Sequence, residues 1–179
     1  TEKIEQAKDT YCILIESRDE LCKRLNMKPV EEYGIKMDSL INDQAALIAM
    51  FQYLIGNTDW DISMLRNIYL LRPSNGGNIM PIPYGFGSSG FVNAPNARPS
   101  SGSGLNTVRD RLLMAENINK TALYKSIDLI NEEKDELYRI CKNKLLSNSS
   151  RLEISVYLNT FFTLVQNKNV PIRSPYKEF

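Results

Sequence analysis

The sequence predicts an α+β fold, mainly α, with a few short strands. Three observations carry that expectation. Apolar residues recur at helical spacing across 38–55, 119–145 and 150–165. Short β-prone runs stand at 11–15, 67–71 and 79–84. Between the mixed first part, 1–72, and the helical last part, 105–168, lies a Gly/Pro/Ser-rich stretch at 73–104. A length of 179 residues fits one domain, 1–179. Area scaling lets such a chain bury about 70% of its surface, so a core forms without staples.

The elements follow in order. Tyr11-Cys12-Ile13-Leu14-Ile15 reads as a buried strand. Ser17-Arg18-Asp19-Glu20 has the capping-box spacing and starts a helix through about Leu25, with Leu21 and Leu25 on one face. A loop passes Pro29 and Gly34. Asp38 is placed to cap a helix to about Ile55, with Leu40, Ile41, Leu47, Ile48, Phe51, Leu54 and Ile55 at helical spacing. Gly56 suits the left-handed residue that ends it. Asn67 to Leu71 reads as a second strand.

Residues 73–104 hold seven of the nine glycines and five of the eight prolines, a composition that marks a functional or disordered loop. Within it, Ile79 to Tyr84 alternates as an edge strand does, where Pro is tolerated. Phe86, Phe91 and Val92 are candidate anchors. Asn106 is placed to cap a short helix to about Glu116. Asn119 is placed to cap a long one carrying Leu123, Ile127, Ile130, Leu137, Cys141 and Leu145, with a solvated charged face opposite. Ser150-Arg151-Leu152-Glu153 is a further capping box, opening a helix with Val156, Tyr157, Phe161, Leu164 and Val165. A short tail closes the chain.

Composition removes several classes of chemistry. There is no histidine, hence no Ser-His-Asp or Cys-His machinery and no His-ligated zinc. Lys and Arg number 22 against 21 Asp and Glu, so there is no polyanion footprint and nucleic acid is not an expected partner. Cys12, Cys22 and Cys141 are too few and too widely spaced for a disulfide framework or a metal knuckle, and read as free, mostly buried thiols. One disulfide with a thiol left over stays open. No apolar run is long enough for a membrane span. The start at Thr1-Glu2-Lys3 reads as a processed or excised chain.

Two motifs carry candidate chemistry. Gly85-Phe86-Gly87-Ser88-Ser89-Gly90 is a literal G-x-G-x-x-G, a spacing that lets backbone N–H groups approach a phosphate. The dinucleotide version needs a helix directly afterwards, and Val92-Asn93-Ala94-Pro95 opposes one. The kinase version needs a strand and then a Lys, and none occurs between Lys36 and Lys120. A turn is the reading that fits. The second motif is Gly56-Asn57-Thr58-Asp59-Trp60-Asp61 followed by Asn67. Two carboxylates and an amide at a helix-to-strand junction suit a divalent cation or the orientation of a hydroxyl nucleophile. Equally, Asn, Thr and Asp are turn formers, and Asp61 suits a cap. Met37, Met50, Phe51, Tyr53, Trp60 and Met64 read as core packing rather than a cofactor pocket.

Phe51 to Trp60, Asn67 to Leu71, Pro81-Ile82-Pro83-Tyr84 and Ser89 to Pro95 together resemble a group of uncharacterised bacterial proteins common in Bacteroidetes, which is similar to the CotH-type atypical kinases. The motifs lie in 51–99, and a weaker helical match covers most of the chain. The resemblance implies a protein-kinase-like C-lobe. The strand at 11–15 becomes the hinge and the helix at 38–55 the main C-lobe helix. Asp59 matches the catalytic-loop aspartate and Asn67 the metal-binding asparagine, eight residues on rather than the usual five. In kinases that aspartate takes the substrate hydroxyl proton and that asparagine helps hold Mg²⁺.

The relatives read Tyr-Asp-Phe-Asp after the Pro-Ile-Pro run. Here Gly85 and Gly87 stand at both acidic positions, so the main protein ligand for Mg²⁺ is missing. Most of an N-terminal lobe is missing too. The expected function is a degenerate kinase-like binding or scaffold module that engages a protein partner, with no cofactor. The alternative is a CotH-like phosphotransferase using Asp59 and Asn67 with ATP and Mg²⁺ or Mn²⁺. The relatives suggest an exported bacterial protein.

Overall fold

The computed structural model describes Cys12 and residues 14–166. Among the described residues, five helices and a three-stranded antiparallel sheet make an α+β architecture in which helix predominates. The first helix, α1 (Arg18–Leu25), begins after its expected N-cap, Ser17. The Ser17 hydroxyl accepts the Glu20 N–H at 3.3 Å and donates to the Glu20 carboxylate at 3.2 Å. Asn26, in the left-handed conformation at φ 53°, ends it. The chain then turns directly into β1 (Met27–Pro29), within what the sequence reads as loop. The strand is too short and too polar to show a pattern, and its pairing with Lys28 opposite Arg72 comes from the sheet, not from local propensity.

Helix α2 (Asn42–Ile55) is the centre of the molecule. Ala45, Ala46, Ala49, Met50, Tyr53 and Leu54 are all buried, so the helix is enclosed around most of its circumference. It ends at Gly56, left-handed at φ 64°, as expected. Its start differs from expectation. Asp38 does not cap it. A 3-10 turn at Met37–Ser39 comes first. Leu40 then runs extended beside Ile79, with the Ile41 N–H donating to the Ile79 carbonyl at 2.9 Å. That tie to the sheet region moves the cap from Asp38 to Ile41, three residues on.

Strands β2 (Ile68–Pro73) and β3 (Met80–Pro83) form a hairpin with Ile68 opposite Pro83 and Leu71 opposite Met80. β2 is central, and the prolines of β1 and β3 fall on edge strands, where no ladder bond is lost. A satellite cluster of Leu21, Cys22 and Leu71, joined by Leu25, Met27, Tyr69 and Ile82, fixes α1 to the sheet. The main cluster joins α2 to the helices of the last part.

In that last part, Asn119 caps α3 (Lys120–Glu132), accepting the Thr121 N–H at 2.7 Å. The expected long helix is divided at Glu133, and α4 (Lys134–Cys141) continues it. Leu145 lies past its end and is exposed. The charged face through Asp128, Glu132, Glu133, Asp135 and Glu136 is solvated. The final helix, α5 (Asn148–Val165), is capped by Ser147, not Ser150, through the Ser150 N–H at 3.0 Å. It buries Tyr157, Leu158, Phe161, Phe162 and Val165, leaving Val156 and Leu164 outside.

Two expectations fail outright. Residues 106–116 contain no helix, because the Asp110 carboxylate accepts the N–H groups of Asn106 and Thr107 and folds the segment as a turn. Leu14 and Ile15 are 94% and 80% exposed and not in a strand, so the run is not buried there. Tyr11 and Ile13 of the same run lie outside the described residues, as do 1–10 and the tail beyond 166. All three thiols are free, with Cys22 and Cys141 buried and Cys12 exposed. Among the described residues no helix is long and apolar enough to cross a membrane.

Candidate functional site

The site is built by the loop from Gly56 to Asn67, which joins α2 to β2. Asn57 is buried and its side chain works in two directions. Its Nδ2 donates to Gln52 Oε1 at 2.9 Å, and its Oδ1 accepts the Asp59 N–H at 3.0 Å. A buried amide pair thus runs from the last turn of α2 to the backbone of Asp59. It has a cost, since Gln52 Nε2 is buried without a partner.

At the far end of the loop Asn67 adopts φ 53°, a conformation Asn tolerates better than most residues. Its backbone carbonyl accepts the Tyr84 N–H at 3.0 Å, which fixes it at the mouth of the β2–β3 hairpin. Its Nδ2 donates to the Asp59 carboxylate at 3.0 Å and also to the Asp59 carbonyl. The other Asp59 oxygen faces Arg66 Nε at 3.4 Å. Asp59 is therefore gripped at its N–H, its carbonyl and both carboxylate oxygens. The chain thus brings Asp59 and Asn67 into direct contact.

Gly85 completes the cluster. It is left-handed at φ 73°, and a Cβ there would stand 2.6 Å from Asn67 Oδ1. Tyr84, just before it, stacks on Tyr69 with ring centroids 4.4 Å apart, and burial raises its hydroxyl pKa above the ordinary value. Asp61 has a different task. It forms a two-bond bridge with Arg66, both bonds 2.9 Å, and its Oδ1 accepts the Ser63 hydroxyl at 2.7 Å and the Met64 N–H at 3.0 Å. It closes the turn that sets Arg66 beside Asp59. Among the described residues no group of three or more Cys, Asp or Glu side chains is placed to hold a metal ion.

Of the other glycines of the G-x-G-x-x-G run, only Gly90 is closely packed. Gly87 has open space around its Cβ position. Gly90 donates its N–H to the Gly56 carbonyl at 3.0 Å, and Phe91 to the Ile55 carbonyl at 2.9 Å. These amides complete the end of α2 instead of facing a ligand. Phe86 sets its ring edge-on to Phe51 at 5.6 Å, and Phe91 also packs on the core, while Val92 is exposed. The run is a turn, as its flanks imply.

The segment that follows crosses the site. The Ser100 N–H donates to Thr58 Oγ1 at 3.1 Å, and Arg66 reaches the Ser100 hydroxyl at 3.5 Å. Sequence reasoning missed Gln52, Arg66 and Ser100. Gln52 had a signal, as a lone amide in the apolar run from Ala45 to Ile55. Ser100 had none, being one of six serines in a loop.

The chain matches no family model, no curated protein and no solved structure. Its function therefore rests on the geometry.

Proposed function

We propose that this chain is a degenerate kinase-like C-lobe that serves as a binding or scaffold module for a protein partner. The order of parts supports it: a buried central helix, an aspartate loop, an asparagine at the hairpin mouth, a hairpin, and then Gly85. The observation that carries the reading is the juxtaposition at Gly85. Asn67 directs its amide nitrogen to Asp59, and the residue beside its Oδ1 has no side chain. With both Asp59 oxygens taken up by Asn67 and Arg66, the cluster works as a structural clasp. The loop at 92–101 is held over the clasp through Ser100 and exposes Val92, Asn93, Asn96 and Arg98 to a partner.

The Asp59–Asn67 contact also favours a second reading, a phosphotransferase using these two residues with ATP and a divalent metal. A thermal-shift titration with ATP, GTP and ADP, each with and without Mg²⁺ or Mn²⁺, separates them. A ligand at about 100 times its dissociation constant stabilises the fold by about 2.7 kcal/mol, a shift of several degrees. The scaffold reading expects no metal-dependent shift. A shift that disappears in Asn67→Gly, which keeps the backbone conformation and removes the carboxamide, moves the assignment to phosphoryl transfer.

A further inference from the structure

A second concavity lies apart from the clasp. Residues 34–37, 60–63 and 114–117 line a cleft of about 420 Å³, and Asp59, Asn67 and Gly85 are not among its walls. That volume is within the range of small-molecule sites. The Gly34 N–H donates to the Ser63 carbonyl at 2.8 Å, which ties two of the three wall segments together. Met37, Ile62 and Met114 give the interior an apolar lining, and the two thioethers, each half-buried, adapt to what they meet. The acidic residues on the lining, Asp61 and Glu116, are both already engaged within the chain, so neither calls for a cation.

The unmet demand in the wall is that of a donor. Trp60 is only 2% exposed, and its Nε1 is buried with no acceptor among the described residues. Such an N–H has lost its bond to water and gained none in exchange. A neutral donor in apolar surroundings selects a neutral acceptor on an apolar body. We propose that this cleft is a binding site for a small, neutral, apolar carbonyl compound. The carbonyl oxygen accepts the Trp60 Nε1–H, and the hydrocarbon part lies among Met37, Ile62 and Met114. The donor is closed to water, so the carbonyl reaches it as the thioether side chains shift. A hydrocarbon of the same shape leaves the indole N–H unpaired, and an ammonium has no acceptor to offer it.

Trp60 is the only tryptophan in the chain, so the protein has a single indole N–H signal in a nitrogen-correlated proton NMR spectrum. The test titrates the protein with 4-phenylbutan-2-one and with the same skeleton carrying a methylene group in place of the carbonyl oxygen. Both probes bring the same ring, so their difference isolates the carbonyl. The expected result is a saturable downfield shift of the indole proton with the ketone and none with the hydrocarbon. Replacing the Trp60 indole by benzothiophene keeps its outline and puts sulfur in place of the N–H. The ratio of ketone to hydrocarbon affinity should then fall about fivefold. Met114→Phe, which fills the cleft, should weaken both probes. An unsaturable titration, an indole proton unmoved by the ketone, a ratio unchanged by the benzothiophene, or affinities unchanged in Met114→Phe would overturn the proposal.

Discussion

Gly90 shows how much one missing side chain can decide. A Cβ there would stand 2.2 Å from the Val108 carbonyl and 2.4 Å from the Tyr157 hydroxyl. The first neighbour is backbone and cannot give way, so Gly90→Ala should cost about 2–4 kcal/mol in denaturant unfolding. Gly87, three residues earlier, has nothing within 4 Å of its Cβ position and no left-handed φ. Gly87→Ala should therefore change stability by less than about 0.5 kcal/mol. A phosphate loop would make the opposite demand, because there the middle glycine gives a ligand its approach. Comparable losses in the two variants would contradict the packing account. The same scale explains why the site was half legible. Asp59 and Asn67 stand eight residues apart across one loop, and the sequence reads that loop as a cluster of two carboxylates and an amide. Gln52 and Ser100 reach that loop from a helix interior and from a distant turn, and nothing local in the sequence says so.

At the scale of elements, end signals were read better than interiors. Ser17, Gly56 and Asn119 mark helix ends because capping is a local hydrogen-bond problem with few solutions. Where two candidates compete, sequence cannot choose. Ser147 and Ser150 are three apart, and the structure uses Ser150 as the donor to Ser147. Ser147→Ala should cost about 1 kcal/mol and Ser150→Ala clearly less, measured by thermal unfolding. The reverse order would restore the cap to Ser150. The misses have one physical cause, which is that tertiary pairing overrides local preference. β1 exists because β2 offers it an edge, α2 starts late because Leu40 pairs beside Ile79, and 106–116 turns because Asp110 takes its N–H groups.

Across the whole molecule, Arg111 and Tyr157 join the first part to the last. Arg111 donates to the Leu54 carbonyl at the end of α2, and to the Tyr157 carbonyl and the Thr160 hydroxyl on α5. Its guanidinium also lies 3.8 Å from the centre of the Tyr157 ring, with Arg109 at 4.2 Å. Burial raises the Tyr157 and Tyr53 hydroxyls above the ordinary tyrosine pKa, against an opposing pull from Arg111 on both and from Arg109 on Tyr157. Tyrosines in the unfolded chain ionise near pH 10. The stability held in these two groups is therefore fully present below about pH 10 and is lost as pH rises through their folded-state values. Urea midpoints should fall above that pH, and Tyr157→Phe should fall less steeply. Because the Tyr157 hydroxyl has no partner, that variant should match or exceed the parent at pH 7. Equal slopes for parent and variant at high pH would take Tyr157 out of the linkage.

The meeting of Gly56, Gly90 and Tyr157 also bears on how the chain is made. The hydroxyl of Tyr157 packs against both glycines, yet it belongs to α5. On a ribosome the two glycines emerge long before the tyrosine. Until α5 arrives, the turn at 85–91 has its two bonds to α2 but no lid of ring and guanidinium above them. During synthesis the glycine-rich segment thus waits for α5, and it is more open to proteases and chaperones until that helix packs.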